Sequence, residues 1–144
     1  MPAPQSGSNL AGVPRENVDL ITRMLARARD DPSALAAVLH EDVEFDVAGA
    51  NPEGGQAFRG PAGARRFFRE WTGAFEDWGY DVVEVIDAGD SVVVNIDQWG
   101  RGKSSGATVH QPFWQVWTLR ERLVVRVTHH EEKADALRAA EGPS

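Results

Sequence analysis

The last third of the chain contains the stretch that most constrains the fold. Residues 111–130 read QPFWQVWTLRERLVVRVTHH, two apolar strands joined by a turn at 120–122. Successive side chains of a strand point to opposite faces, so Gln115 and Trp117 share one face and Trp114 lies on the other. Neither face is polar enough to be left in water. The pattern therefore predicts an antiparallel hairpin in a curved sheet, with one face over a pocket or helices and the other against a partner chain.

Composition limits the classes of function. With 144 residues, 42% of them apolar, the chain can form one domain with a substantial core. Its 15 basic and 22 acidic residues give a net charge of -7, which disfavours binding to nucleic acid. The absence of cysteine excludes disulfides, a thiol nucleophile and a cysteine zinc site. No apolar run approaches the roughly 18 residues of a membrane helix, so no membrane partner is expected.

The ends of the chain differ in character from its middle. Residues 1–13 are rich in proline, glycine and serine and are predicted to form a disordered tail. This segment has no basic region followed by an apolar core, so it does not resemble a secretory signal and a cytoplasmic location is expected. We expect residues 14–140 to form a single domain and residues 141–144 to form a second short tail.

Hydrophobic periodicity predicts the order of the elements. Helical spacing of apolar residues, interrupted by proline and glycine, alternates with stretches of period two. The predicted elements are helices at 14–29, 32–39 and 61–78, a strand at 43–47 and a loop at 48–60 before the third helix, strands at 82–86 and 92–99, the hairpin, and a helix at 131–140. This order is typical of an α+β fold with helices segregated to one face.

Five strings in this order resemble the SnoaL-like branch of the nuclear transport factor 2-like superfamily, which includes the ketosteroid isomerases and limonene epoxide hydrolases. They are LHEDVEFDVAG (39–49), FRGPAGARRFFREW (58–71), GDSVVVNIDQWGRG (89–102), QVWTLRERLVVRV (115–127) and EEKADALRAA (131–140). The resemblance covers about residues 14–140. It implies a cone in which a curved antiparallel sheet packs on three N-terminal helices plus a short C-terminal helix and encloses an apolar cavity.

Catalytic positions of the characterised branches are altered in this chain. The carboxylate base of the isomerases falls at Val47, and their helix-one tyrosine falls near Arg23 or Met24. The arginine and aspartate of the epoxide hydrolases fall near Ile96 and Gln98. The resemblance therefore implies a small-molecule pocket and leaves two functions open. One is a cofactor-independent isomerase, cyclase or hydratase acting by acid-base chemistry on a hydrophobic cyclic substrate, and the other is a non-catalytic ligand-binding or dimerisation module.

A histidine at the end of the last strand is the candidate catalytic group. His129 and His130 are adjacent on a strand, so they point to opposite faces and cannot readily share a metal ion. In the family register, His129 faces the cavity together with Val127. An imidazole that titrates near neutral pH could exchange a proton with a ligand there. The alternative is a strand-end histidine that hydrogen-bonds to a backbone group or to solvent.

Inward-facing amides and aromatic rings are the candidate ligand contacts. Gln98 and Gln115 fall on neighbouring strands, where an amide can donate to and accept from a carbonyl or hydroxyl oxygen. Pro112 could introduce a bulge or an edge position and shift this register, which would leave the amides in water at the mouth of the cone. The remaining predicted ligand-binding residues are Trp117, Trp71, Phe45 and Val47.

Three carboxylates of the first strand resemble a site for a hard cation. Asp42, Glu44 and Asp46 alternate and so share one face, opposite Phe45. Carboxylates opposite the core side are more often a solvated edge that discourages strand pairing, and this is the reading we adopt. No metal and no cofactor are predicted.

Two partners are predicted, a small hydrophobic molecule in the cavity and a second copy of the chain. The resemblance implies a homodimer through the convex face of the sheet. Asn95 and Asp97 share the face opposite Ile96 and are assigned to this contact. Trp114, Val116 and His130 are expected to meet the other subunit.

Overall fold

The structure is a computed structural model that describes residues 13–31, 33–46, 57–73 and 75–141. Its elements are α1 (Val13–Ala28), α2 (Ser33–Ala36), β1 (Leu39–Asp46), β2 (Ala57–Arg59), α3 (Gly60–Thr72), β3 (Phe75–Ala88), β4 (Ser91–Gly102), β5 (Thr108–Arg120), β6 (Leu123–His130) and α4 (Lys133–Glu141). The predicted α+β class is confirmed. None of the helices within the described ranges is long and apolar enough to cross a membrane.

The strands form one curved sheet in the order β2-β1-β6-β5-β4-β3. Neighbouring strands are antiparallel except for β1 and β6, which run parallel with Phe45 opposite Val127. The predicted antiparallel sheet therefore contains one parallel pair. Strand β2 lies in a stretch predicted as loop and pairs with β1, Phe58 opposite Phe45.

The main core lies between the concave face of the sheet and helices α1 to α3. Ile21 and Leu25 of α1 are buried against Val43 and Val94 of the sheet. Burying a side chain of this size stabilises a fold by about 1.5–3 kcal/mol. The Tyr80 hydroxyl also donates to the backbone oxygen of Leu25 at 2.6 Å, which ties β3 to the end of α1. The concave face is thus covered by helices, as predicted.

Helix α4 packs on the opposite, convex face, so the prediction that all helices share one face is wrong. Ala136 is buried against Val93 and Val116, with Leu137 and Ala140 beside it. The small apolar residues of α4 pack on Val93 and Val116, which would otherwise be exposed. Val116 was expected to meet a partner subunit, but α4 of its own chain buries it.

Helix α3 ends at Thr72, six residues before the predicted end at 78. Phe75 and Trp78 therefore belong to β3, which pairs with β4 in a long hairpin. Cross-strand contacts between rings and glycines explain this outcome. A Cβ on Gly100 would lie 2.6 Å from the Phe75 ring, so only glycine leaves room for that ring across the hairpin.

The β5–β6 hairpin is confirmed, and its register decides which side chains face inward. Glu121 and Arg122 have φ of 53° and 69°. A two-residue hairpin turn of type I′ requires positive φ at both positions, and here two non-glycine residues adopt it. Pro112 causes no bulge: it pairs regularly with Asp97 and precedes the first residue of β5 that pairs with β6. The one irregularity between β5 and β6 falls beyond Thr118, so Gln115 keeps the predicted inward orientation.

Candidate ligand-binding cavity

A cavity of about 60 Å³ lies between the concave face of the sheet and the helices. Its walls come from helices α1 to α3 and from the strands of the sheet, and most of them are apolar. The lining residues are Met24, Leu25, Ala28, Leu35, Phe45, Phe67, Phe68, Trp78, Tyr80, Ile96, Gln98, Phe113, Gln115, Trp117 and His129. A small-molecule site is usually a pocket with apolar walls and a few convergent polar groups.

Most of the sequence-predicted site residues lie on this cavity. Its lining includes Phe45, Gln98, Gln115, Trp117 and His129. Two further predictions fall outside what the structure describes, namely the side chain of Trp71 and the whole of Val47. The geometry brings the five described residues together, and their roles in binding or catalysis stay predictions.

The polar groups around His129 form a directed chain of hydrogen bonds, here named the His129 relay. The Trp117 indole nitrogen lies 3.0 Å from Gln115 Oε1, and because an indole only donates, the atom it contacts must be the amide oxygen. The Gln115 nitrogen therefore faces His129 Nε2, 3.0 Å away, and donates to it. His129 Nδ1 then carries the proton and donates to the backbone oxygen of Asp46 at 3.3 Å.

His129 is held in its neutral form. Its side chain is 1% exposed, and this burial lowers its pKa from 6.5 to about 4. The Phe67 and Phe113 rings pack beside the imidazole, with centroids 5.7 and 5.6 Å away. Protonation of Nε2 would place one N–H against the donor N–H of Gln115. Packing and hydrogen bonding therefore favour the same uncharged tautomer.

A second amide is oriented in the same way. The Trp78 indole donates to Gln98 Oε1 at 3.0 Å, and the Gln98 nitrogen donates to Gln111 Oε1 at 3.5 Å. Gln98 is 3% exposed, so it does not lie in water at the mouth of the cone. Each of the two predicted amides, Gln98 and Gln115, is thus oriented by an indole that donates to the amide oxygen.

Trp78 and Tyr80 are cavity residues that sequence analysis missed. The third helix was predicted to extend to 78, which hid the alternation of these two side chains on β3. Their rings pack edge to face at 5.4 Å. Burial raises the Tyr80 pKa to about 12, so its hydroxyl stays protonated and holds the Leu25 backbone oxygen. The period-two pattern from 78 to 82 was the signal that could have revealed them.

Arg23 and His40 lie away from the cavity. Arg23 is exposed in a groove between α1 and α2. His40 accepts a hydrogen bond from the backbone nitrogen of Asp42 at 2.9 Å. His130 faces the convex side and lies 2.8 Å from the Thr128 hydroxyl. His129 is therefore the histidine that the described part of the chain places on the cavity.

The carboxylates of β1 pair with arginines on the outer face. Glu44 lies 3.4 Å from Arg59 and 3.8 Å from Arg126, and Asp46 lies 4.0 Å from Arg126. These pairs are partly exposed and so contribute little stability. Within the described ranges, no group of three His, Asp or Glu side chains is arranged to hold a metal ion.

Comparison with protein families gives one match that spans most of the chain. The family described as the SnoaL-like domain matches residues 21–127. A search of curated proteins gave no match.

Solved structures share the fold at low sequence identity. The crystal structure of TerC, co-crystallised with polyporic acid, has a TM-score of 0.70 at 23% identity, covering 88% of this chain and 98% of TerC. A protein from Jannaschia sp. CCS1 described as a SnoaL-like polyketide cyclase has a TM-score of 0.73 at 19% identity, covering 96% and 100% of the two chains. A ketosteroid isomerase-like protein from Catenulispora acidiphila, in complex with trimethylamine, has a TM-score of 0.67 at 14% identity, covering 85% and 92%.

Proposed function

Since the chain belongs to the SnoaL-like domain family, we propose that it binds a small, largely apolar molecule in the cavity between its sheet and helices. The observation that carries this proposal is the pair of cavity amides, the buried Gln98 and the partly buried Gln115, each oriented by an indole on a mostly apolar wall. Two structures of the same fold support it, since TerC was crystallised with polyporic acid and the Catenulispora protein with trimethylamine.

The size of the cavity limits what it can take without rearrangement. An apolar cavity of about 150 Å³ holds a benzene ring, whereas this one measures about 60 Å³. A ring-bearing ligand therefore requires side chains such as Phe68 and Trp78 to move apart. These two rings meet edge to face at 5.5 Å and are only partly buried, so they can separate without exposing the central core.

Gln115 provides a specific contact for a ligand oxygen. Its amide nitrogen carries two N–H groups, of which one is donated to His129. The second N–H can donate to a carbonyl or hydroxyl oxygen at the cavity wall. We therefore assign the ligand one oxygen near Gln115 on a mainly hydrocarbon body.

Binding is better supported than proton exchange by His129. Isomerase, cyclase or hydratase chemistry with this histidine as base would need its Nε2 lone pair, which accepts from Gln115 at 3.0 Å. A histidine with a pKa of about 4 is also a weak base at neutral pH. Catalysis by His129 would require Gln115 to turn away from it, against the hydrogen bond that Trp117 donates.

Filling the cavity tests this proposal. Ala28 lines the cavity from α1 and is 4% exposed, so Ala28→Leu places three further carbons in the free volume. With cyclohexanone as the probe, we expect the melting temperature of the wild type to rise with probe concentration and that of Ala28→Leu to stay constant. The control Ala134→Leu, at an exposed site on α4, should respond like the wild type. An equal rise for Ala28→Leu would contradict binding in the cavity.

We also propose a homodimer through the part of the convex face that α4 leaves uncovered. Asn95 lies there beside Trp114, and Pro112 lies on the same face; none of the three is fully buried. Apolar side chains left exposed on a sheet face are typical of a contact between chains. Asp97 and His110 lie 3.5 Å apart on the same face and can form the polar rim of the contact.

A further inference from the structure

A surface groove between α2 and α3 lies directly outside the cavity. Its volume is about 290 Å³, which is larger than the cavity. Leu39, Pro61 and Ala64 contribute to an apolar floor, and Arg65 and Arg69 of α3 stand at its rim. The groove thus combines hydrocarbon walls with two cationic groups.

Two side chains separate the groove from the cavity. Leu35 and Phe68 line both spaces. Leu35 lies on α2, a helix of four residues, and so short a helix has little stability of its own. Phe68 is only partly buried and contacts Trp78 at its inner edge. A displacement of Leu35 and Phe68 would join the groove and the cavity into one channel.

The two arginines at the rim lack anionic partners among the described residues. Arg65 and Arg69 are four residues apart on α3, so their charges lie side by side and repel each other. Their neighbour Arg66 differs, because it pairs with Glu70 at 3.3 Å and packs over the Phe58 ring. An anion between Arg65 and Arg69 would relieve the repulsion and could accept hydrogen bonds from both guanidinium groups.

We infer that the groove is the entrance to the cavity and binds the anionic head of an amphipathic ligand. The head, a carboxylate or another organic anion, lies between Arg65 and Arg69. The hydrocarbon tail passes between Leu35 and Phe68 into the cavity, where an oxygen carried on the tail can accept from Gln115. This inference rests on the proposed function and adds the ligand class, because a hydrocarbon chain can occupy the cavity and the groove together.

Octanoate and octanol test the inference by calorimetry, with acetate as a head group that has no tail. We expect octanoate to bind the wild type more tightly than octanol, and acetate not to bind measurably. The double variant Arg65→Gln/Arg69→Gln should lower the affinity for octanoate at least tenfold and leave the affinity for octanol unchanged. The control Arg66→Gln on the same helix should leave the affinities for both probes unchanged. Octyl sulfate, if it behaves like octanoate, would extend the class to other organic anions.

Two results would overturn the inference while separating it from the proposed function. If the double variant binds octanoate as tightly as the wild type while Ala28→Leu abolishes binding, the cavity site stands and the anionic head site is wrong. If the double variant lowers the affinity for octanoate tenfold but Ala28→Leu leaves it unchanged, octanoate binds in the groove alone. The claim that the groove leads into the cavity is then wrong. Absence of octanoate binding would also refute the inference, and the cyclohexanone experiment then decides the proposed function separately.

Discussion

The Trp117 indole can only donate hydrogen bonds, and through Gln115 this property determines the tautomer of His129. Trp117 fixes which end of the Gln115 amide faces it, and Gln115 in turn fixes the acceptor nitrogen of His129. The last bond, to the backbone oxygen of Asp46, joins β6 to its parallel neighbour β1. At the scale of single residues, His129 therefore acts as a structural link between two strands as well as a cavity wall.

The pH dependence of stability tests this assignment. The folded pKa of His129, about 4, lies below its unfolded value of 6.5, so the unfolded chain binds a proton that the folded chain does not. Stability is therefore fully present above about pH 6.5 and is lost as pH falls towards about 4. Between about pH 7.5 and about pH 5, we expect the free energy of unfolding to fall by about 2 kcal/mol from this group.

Urea unfolding of His129→Gln measures that contribution. The variant lacks the titrating group, so its free energy of unfolding should be lower than that of the wild type near pH 7.5 but fall less towards pH 5. His110→Gln, at an exposed histidine, is the control and should retain the wild-type pH dependence. A full pH dependence in His129→Gln would show that His129 is not held neutral in the folded protein.

Alternation along strands was enough to predict the inward orientation of Gln98, Gln115 and His129. Their hydrogen-bond partners could not be predicted, because those depend on cross-strand register and on which end of each amide faces an indole. The relay partner of His129 on β1 comes from 83 residues earlier in the chain. A pairing of that sequence separation depends on the three-dimensional arrangement and has no local signature.

At the scale of elements, the boundary between α3 and β3 was the main error of sequence analysis. Aromatic residues at 67, 68, 71 and 75 have helical spacing, so periodicity alone extended the helix. Tertiary contacts decided otherwise, because Phe75 packs over Gly100 across the β3–β4 hairpin. The placement of α4 also could not be predicted from the sequence, since a short helix with small apolar residues fits either face of a sheet.

The prediction about assembly concerns the part of the convex face of β4 and β5 that α4 does not cover. We expect sedimentation equilibrium to show a dimer for the wild type, and Pro112→Lys to raise the dimer dissociation constant about tenfold, because it places a charge in the apolar part of the contact. Val83→Thr changes an exposed valine on the edge strand β3 and serves as the control. A monomeric wild type, or an unchanged constant in Pro112→Lys, would contradict the proposed interface.

At the scale of the whole molecule, the fold separates two faces with different tasks. The concave face and helices α1 to α3 enclose the cavity, whereas the convex face is divided between α4 and an uncovered area around Asn95. Sequence strings predicted this architecture well, because a family fold is encoded along nearly the whole chain. They gave no indication of the cavity volume, which depends on how far α1 and α3 stand from the sheet.

The central claim is that a ligand enters the cavity lined by Trp78 and Trp117, the two indoles that orient the amides of Gln98 and Gln115. A titration with cyclohexanone followed by nitrogen-15 NMR tests it, because each tryptophan side chain gives its own indole N–H resonance. We expect the resonances of Trp78 and Trp117 to shift with a common dissociation constant, and that of Trp114 on the convex face to stay in place. Unchanged Trp78 and Trp117 resonances at saturating probe, or a shift confined to Trp114, would contradict the account.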